Sequence, residues 1–178
     1  MTSFHIFIAT SLDGFIARPD GSLDWLLSRD TAGEDHGYDT FIAGIDVIVM
    51  GRGTYEKVLE FDAWPYTLPV IVLSRTLAAT SVPAHLTGNV RFVDWSPEQT
   101  HALLHAEGFR RAYLDGGQLI QSFLRSGLVH DLIITRIPVL LGAGRPLFGT
   151  LDADVELAHE GTVGFASGLV QSRYRVVG

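Results

Sequence analysis

Cysteine is absent from the 178-residue chain. Its absence excludes disulfides, thiolate nucleophiles, iron–sulfur clusters and cysteine zinc sites, and points to a reducing, cytoplasmic setting. Lysine is nearly absent too, since Lys57 is the only one among 13 Lys and Arg residues. A GxxxxGK[ST] phosphate loop cannot be assembled, and Gly53 stands where the Tyr-x-x-x-Lys pair of short-chain dehydrogenases needs its tyrosine. No GxSxG nucleophile elbow occurs, so esterase chemistry of that type loses its signature. No apolar run approaches the roughly 20 residues of a membrane span. The N-terminus lacks the basic start and unbroken apolar stretch of a signal peptide, with Asp13 arriving too early for one. A formal net charge of −7 argues against a broad nucleic-acid surface. Any anionic ligand must then be met by a local cluster of arginines. Among the histidines, His101 and His105 are four apart, but Ala102 stands where a zincin has Glu, and no metal site is expected.

What is present reads as one α/β domain over residues 1–178. Residues 4–10 (FHIFIAT) form a β-rich run, followed by a loop punctuated by Gly14, Pro19 and Gly21. Apolar residues at helical spacing (Tyr38, Phe41, Ile42, Ile45) predict a helix over about 30–45, and DVIVM (46–50) predicts a buried strand. Thr54 is placed to cap a short helix, Pro69 introduces a strand in VIVLSRT, and NVRFVD supplies another. Ser96-Pro97-Glu98 opens a helix with Leu103, Leu104 and Phe109 facing inward. RAYLD (111–115) leads through Gly116-Gly117 into an amphipathic helix ended by Gly127. A long β-branched strand follows over 131–141, with Pro138 marking a bulge or an edge. VELAHEG and LVQSRYRVV alternate as an antiparallel hairpin would. The expected architecture is a mostly parallel central sheet flanked by helices, with an antiparallel C-terminal hairpin.

In open α/β sheets ligands bind at the carboxyl ends of strands, so glycines there carry weight. Three such places occur. Gly51-Arg52-Gly53-Thr54 offers backbone N–H groups and a guanidinium to a phosphate, or is a tight turn; Glu56 breaks the GxGxxG fingerprint. Ser74-Arg75-Thr76 stands where a hydroxyl and a guanidinium suit the 2′-phosphate of NADP better than the ribose diol of NAD. Arg52 and Arg75 could clamp that phosphate from two sides. Asp115-Gly116-Gly117-Gln118, again strand to helix, lets backbone approach a pyrophosphate closely, or is a structural turn.

The ordered set SLDGFIA with DW shortly after, VIVMGRGTYE, VIVLSRT, YLDGGQLIQSFL and PVLLGAGRPLF resembles the dihydrofolate reductase-like proteins, especially stand-alone relatives of the riboflavin-biosynthesis reductase domain (RibD C-terminal type). The likeness runs through nearly the whole chain and implies a homodimeric reductase with NADPH as cofactor. It implies that Ala9 lies on the nicotinamide side, and that Gly51, Arg52, Gly53, Thr54, Ser74 and Arg75 hold the adenosine phosphates. Gly116, Gly117, Gln118 and Leu119 would cradle the pyrophosphate, and the loop over 10–25 would cover the nicotinamide. The acid of dihydrofolate reductase, counted back from Gly51, falls on Asp35, with Glu34 and Asp30 nearby; Asp35 also suits a helix-dipole role. Asp13 is a second candidate, or an Asx turn before Gly14. Trp25 stacks on substrate or anchors the loop.

Two departures shape the expected chemistry. The loop and first helix match true dihydrofolate reductase poorly, and no arginine is assignable to a folate tail. The zinc deaminase half of full riboflavin enzymes is missing, so a ribosylaminouracil phosphate substrate would need a deaminase on another chain. The expected function is hydride transfer to a pterin-like or aminopyrimidine substrate. A non-catalytic NADPH-binding module and a ligand-free interaction domain are the alternatives.

Overall fold

In a computed structural model describing residues 1–31 and 33–178, the apolar runs assemble side by side. The central strands are β1 (Ser3–Ser11), β3 (Val47–Gly51), β4 (Val70–Leu73), β5 (Val90–Val93), β6 (Arg111–Asp115) and β7 (Val129–Ile137). They lie in the order β5-β4-β3-β6-β1-β7, all parallel. The hairpin of β9 (Leu157–Gly164) and β10 (Val170–Val176) extends this sheet through an antiparallel β7–β10 pairing. The mostly parallel sheet with an antiparallel C-terminal edge is as the alternation of apolar runs predicts.

Parallel strands covered on both faces read as continuous apolar runs because neither side meets water. Val47, Ile48, Val49 and Met50 are accordingly all fully buried. One face carries α4 (Pro97–Ala106) and α5 (Gly117–Arg125), whose Leu104, Ile120 and Phe123 pack on Phe4, Ile6 and Leu114. The other carries α2 (Tyr38–Ile42), α3 (Arg52–Val58) and the segment around Trp64–Tyr66. Ser96 caps α4 as expected and adds a reciprocal box, its hydroxyl accepting from the Gln99 N–H while the Gln99 side chain accepts from the Ser96 N–H.

Four local expectations are corrected. The helix over 30–45 shrinks to α2, because Gly33 and Gly37 both take positive φ (73° and 79°) and interrupt the helix before Tyr38. Thr54 makes no capping hydrogen bond, since α3 already begins at Arg52. Leu103 points to solvent, at 39% exposure, while Leu104 takes the inward position. The strand over 131–141 ends at Ile137, short of Pro138.

The loop after β1 folds into a feature with no clear periodicity. Its β2 (Phe15–Ala17) pairs antiparallel with β8 (Arg145–Pro146), far along the chain. The ribbon is fastened at its root, where the Asp13 carboxylate accepts from the Leu141 and Gly142 N–H groups at 3.1 and 2.8 Å. The Leu147 N–H donates to the Gly14 carbonyl at 3.0 Å. α1 (Asp24–Leu27) then buries Trp25 against Ile137 and Leu169. Among the described residues no helix is long and apolar enough to cross a membrane.

Candidate functional site

Because six strands run parallel, their carboxyl ends share one edge, and the two glycine-bearing turns and the Ser74-Arg75-Thr76 turn come together there. Gly116 has φ +111°, a conformation that L side chains rarely adopt. A methyl group on it would stand 2.5 Å from the Thr54 hydroxyl and 4.0 Å from the Gly51 nitrogen. A methyl on Gly117 would meet the Ile16 side chain at 2.8 Å and the Pro146 carbonyl at 2.9 Å. The start of α3, the start of α5 and the β2–β8 ribbon therefore close around a shared wall of bare backbone.

Arg52 spans two of the strand ends. Its guanidinium donates to Glu56 at 2.6 Å and to the Thr76 hydroxyl at 3.2 Å, and Ser74 stands 3.1 Å from that hydroxyl. Arg75 is exposed and makes no side-chain hydrogen bond or ion pair among the described residues. Gln118 is exposed in the first turn of α5, whereas Leu119 is buried in the core and offers the edge only its backbone. Ala9 packs beside Trp25, Ile137 and Leu169. These residues fit a dinucleotide: side-chain-free backbone for phosphate oxygens to approach, and guanidinium groups to oppose their charge.

The acid of this edge is Asp115, named from the sequence only as the first residue of the third turn and given no acid role there. Asp115 ends β6, between β3 and β1, and points to the same side as Tyr113. Burial raises its carboxyl to about 6, partly offset by the hydrogen bond it accepts from the Gly116 N–H. Tyr38, Tyr66 and Tyr113 have hydroxyls raised by burial first and by the Asp115 charge second. Rings pack edge to face around them: Phe7 with Tyr38 at 5.5 Å, Phe41 with Tyr113 at 5.2 Å and Trp64 with Tyr66 at 5.4 Å between centroids. The available signal in sequence was a lone acid closing the buried run Ala112-Tyr113-Leu114 immediately before two glycines.

The acids nominated by spacing occupy other positions. Asp35 is exposed and accepts from the Gly37 N–H at 2.7 Å, an Asx turn ahead of α2. No described contact joins it to Asp115 or to the glycines. Glu34 is engaged by the Ser167 N–H and hydroxyl, which hold its carboxyl below the usual range. Asp13 is likewise lowered, first by the Ser11 hydroxyl, and its oxygens are occupied in fastening the β2–β8 ribbon. Trp25, 5% exposed, anchors the loop, and its indole N–H is buried without an acceptor. Among the described residues no three His, Cys, Asp or Glu side chains gather as a metal site.

Comparison with known proteins bears on this arrangement. The profile of the RibD C-terminal domain family matches residues 4–170. YwjB of Bacillus subtilis, itself uncharacterised, is 34% identical over 171 residues, 95% of both chains. RibD of Corynebacterium ammoniagenes, a riboflavin biosynthesis protein, is 27% identical over 164 residues, 80% of this chain and 46% of that one. A crystal structure from Shewanella sp. PV-4, of a protein named for riboflavin biosynthesis, has TM-score 0.92 at 40% identity, covering 99% of this chain and 100% of the other. The Thermotoga maritima diaminohydroxyphosphoribosylaminopyrimidine deaminase/5-amino-6-(5-phosphoribosylamino)uracil reductase shares the fold at TM-score 0.72 and 15% identity, over 99% of this chain and 57% of that one.

Proposed function

Since the chain belongs to the RibD C-terminal domain family, we propose that it is an NADPH-dependent reductase acting on a small aminopyrimidine or pterin-like heterocycle. The observation that carries this reading is the adjacency of Asp115 to Gly116. An acid raised to about 6 and a wall of side-chain-free backbone are one residue apart. Bound NADPH supplies a hydride to an electron-poor carbon, either of a C=N bond or of an opened ribose.

The protein's part is then to deliver a proton, to orient a flat substrate and to keep water away. Asp115 is the candidate proton donor, because a carboxyl near 6 still carries its proton in an appreciable fraction of molecules at neutral pH. Tyr38, Tyr66 and Tyr113 remain protonated throughout the working range, so they are neutral groups around the acid. The rings of Phe7, Tyr38, Trp64 and Tyr66 provide faces and edges against which a heteroaromatic ring packs. Gly51, Gly53, Gly116 and Gly117 would hold the pyrophosphate, with Arg52, Ser74 and Arg75 toward the adenosine 2′-phosphate.

The test is a calorimetric titration with NADPH and with NADH, followed by NADPH oxidation assays with ribosylaminopyrimidine phosphates, dihydropterins and dihydrofolate. Micromolar NADPH binding with turnover of one of these is the expected result. Binding without any turnover would leave a dinucleotide-binding module, and binding of neither cofactor would remove the reductase reading altogether.

A further inference from the structure

We infer that Arg145 is a phosphate-binding residue of the dinucleotide cleft, directed at the pyrophosphate and not at the 2′-phosphate; this rests on the NADPH reading above. Arg145 is carried by β8, in the ribbon that lies over Gly117. Its guanidinium lies between two glycines from different parts of the chain. A methyl on Gly21 would stand 3.1 to 3.3 Å from the guanidinium atoms, and one on Gly53 would stand 4.0 Å from its Nη1.

Four of the other eleven arginines are matched to acids, Arg18 with Asp24, Arg52 with Glu56, Arg91 with Glu107 and Arg175 with Glu160, whereas Arg75, also at this edge, is not. Arg145 has no carboxylate within 4.0 Å among the described residues, in a chain with seven more acids than bases. Its one hydrogen bond is a long one, 3.4 Å from Nε to the Pro19 carbonyl. A guanidinium has five donors in a planar fork suited to phosphate oxygens, and here nearly all of that capacity is unspent.

Position decides which phosphate it meets. Arg52 reaches toward Thr76 at the end of β4, where the 2′-phosphate is proposed to sit. Arg145 comes within 4.0 Å of a methyl placed on Gly53, on the ribbon whose next residue, Pro146, covers Gly117. The pyrophosphate is common to NADPH and NADH, whereas the 2′-phosphate belongs to NADPH alone. Arg145 therefore contributes equally to both cofactors.

The experiment is calorimetric titration of wild type, Arg145→Gln and Arg145→Lys with NADPH, NADH and adenosine 2′-monophosphate, each variant's melting temperature being recorded. Arg145→Gln is expected to weaken NADPH and NADH by the same factor, roughly 10- to 100-fold. Its melting temperature and its affinity for adenosine 2′-monophosphate stay at wild-type values, and Arg145→Lys recovers part of the loss as a point charge. Unchanged affinity for both dinucleotides would overturn the inference. A loss confined to NADPH would also overturn it, by assigning Arg145 to the 2′-phosphate. Failure of the wild type to bind either dinucleotide is a different outcome and removes the cofactor reading beneath it.

Discussion

The two halves of the site meet at one peptide bond and are built in opposite ways. On the far side of Gly116 the wall depends on what is missing, since Thr54, Ile16 and Pro146 pack where a Cβ on Gly116 or Gly117 would stand. On the near side, Asp115 is surrounded by what is present: three tyrosines and further rings drawn from separate segments. In the proposed function the first half would bind by close approach of backbone, while the second perturbs a proton by burial. Substitutions on the two sides should therefore separate affinity from rate.

The largest effect is expected at Gly116→Ala. It forces a side chain into φ +111° and into the Thr54 hydroxyl, so NADPH affinity should fall by about 100-fold or more in a titration, with a lower melting temperature. Asp115→Asn should instead leave NADPH affinity intact and lower kcat by roughly 100- to 10,000-fold. In wild type, kcat should decline as pH rises through about 6, where the donor loses its proton.

Asp115 also offers a stability readout with a definite sign. Its carboxyl is raised in the folded state, so the folded protein holds the proton more tightly than the unfolded chain. Stability is thus unaffected below about pH 4, falls as pH rises from about 4 to about 6, and remains reduced above. The full cost is about 2–3 kcal/mol from a shift of this size. Asp115→Asn should accordingly be more stable than wild type in urea at pH 8 and equal to it at pH 4. An enzyme that loses rate while gaining stability marks a functional acid; loss of both would make Asp115 structural.

Smaller effects sharpen the same contrast. Arg75→Ala should weaken NADPH by roughly 1 to 3 kcal/mol and leave NADH little changed, measured by titration. Asp13→Asn should have the least effect, lowering the melting temperature slightly by loosening the ribbon. Its carboxyl is held low, so this contribution is present above the ordinary carboxylate range and is lost as pH falls through the depressed value. The difference between Asp13→Asn and wild type should therefore disappear in strong acid.

The contrast also explains what was legible beforehand. Strands β3, β4 and β6 and the turns after them are local matters of apolar runs and glycines, and Gly51, Gly53, Gly116 and Gly117 could be named from spacing alone. Asp115 could not, because its altered acidity comes from burial that exists only in the folded chain, where Tyr38 and Tyr66 arrive from elsewhere to feel its charge. Counting back by the family spacing reaches Asp35, which stands in an exposed Asx turn because Gly33 and Gly37 interrupt the expected helix before Tyr38. Arg145 escaped notice because its partner surface, Gly21 and Gly53, is brought to it only by the pairing of β2 with β8.

That pairing bears on when the site comes into being during synthesis. The Asp13 carboxylate and the Leu141 N–H it accepts from are 128 residues apart, so the ribbon cannot form until about four-fifths of the chain has been made. Closing so distant a contact is slow and entropically costly compared with forming a local hairpin. A nascent chain can order β3, α3 and β4 early, yet the cover over Gly117 arrives near the end. The proposed dinucleotide cleft is then a late milestone of folding, and cofactor retention would distinguish a finished molecule from an incomplete one.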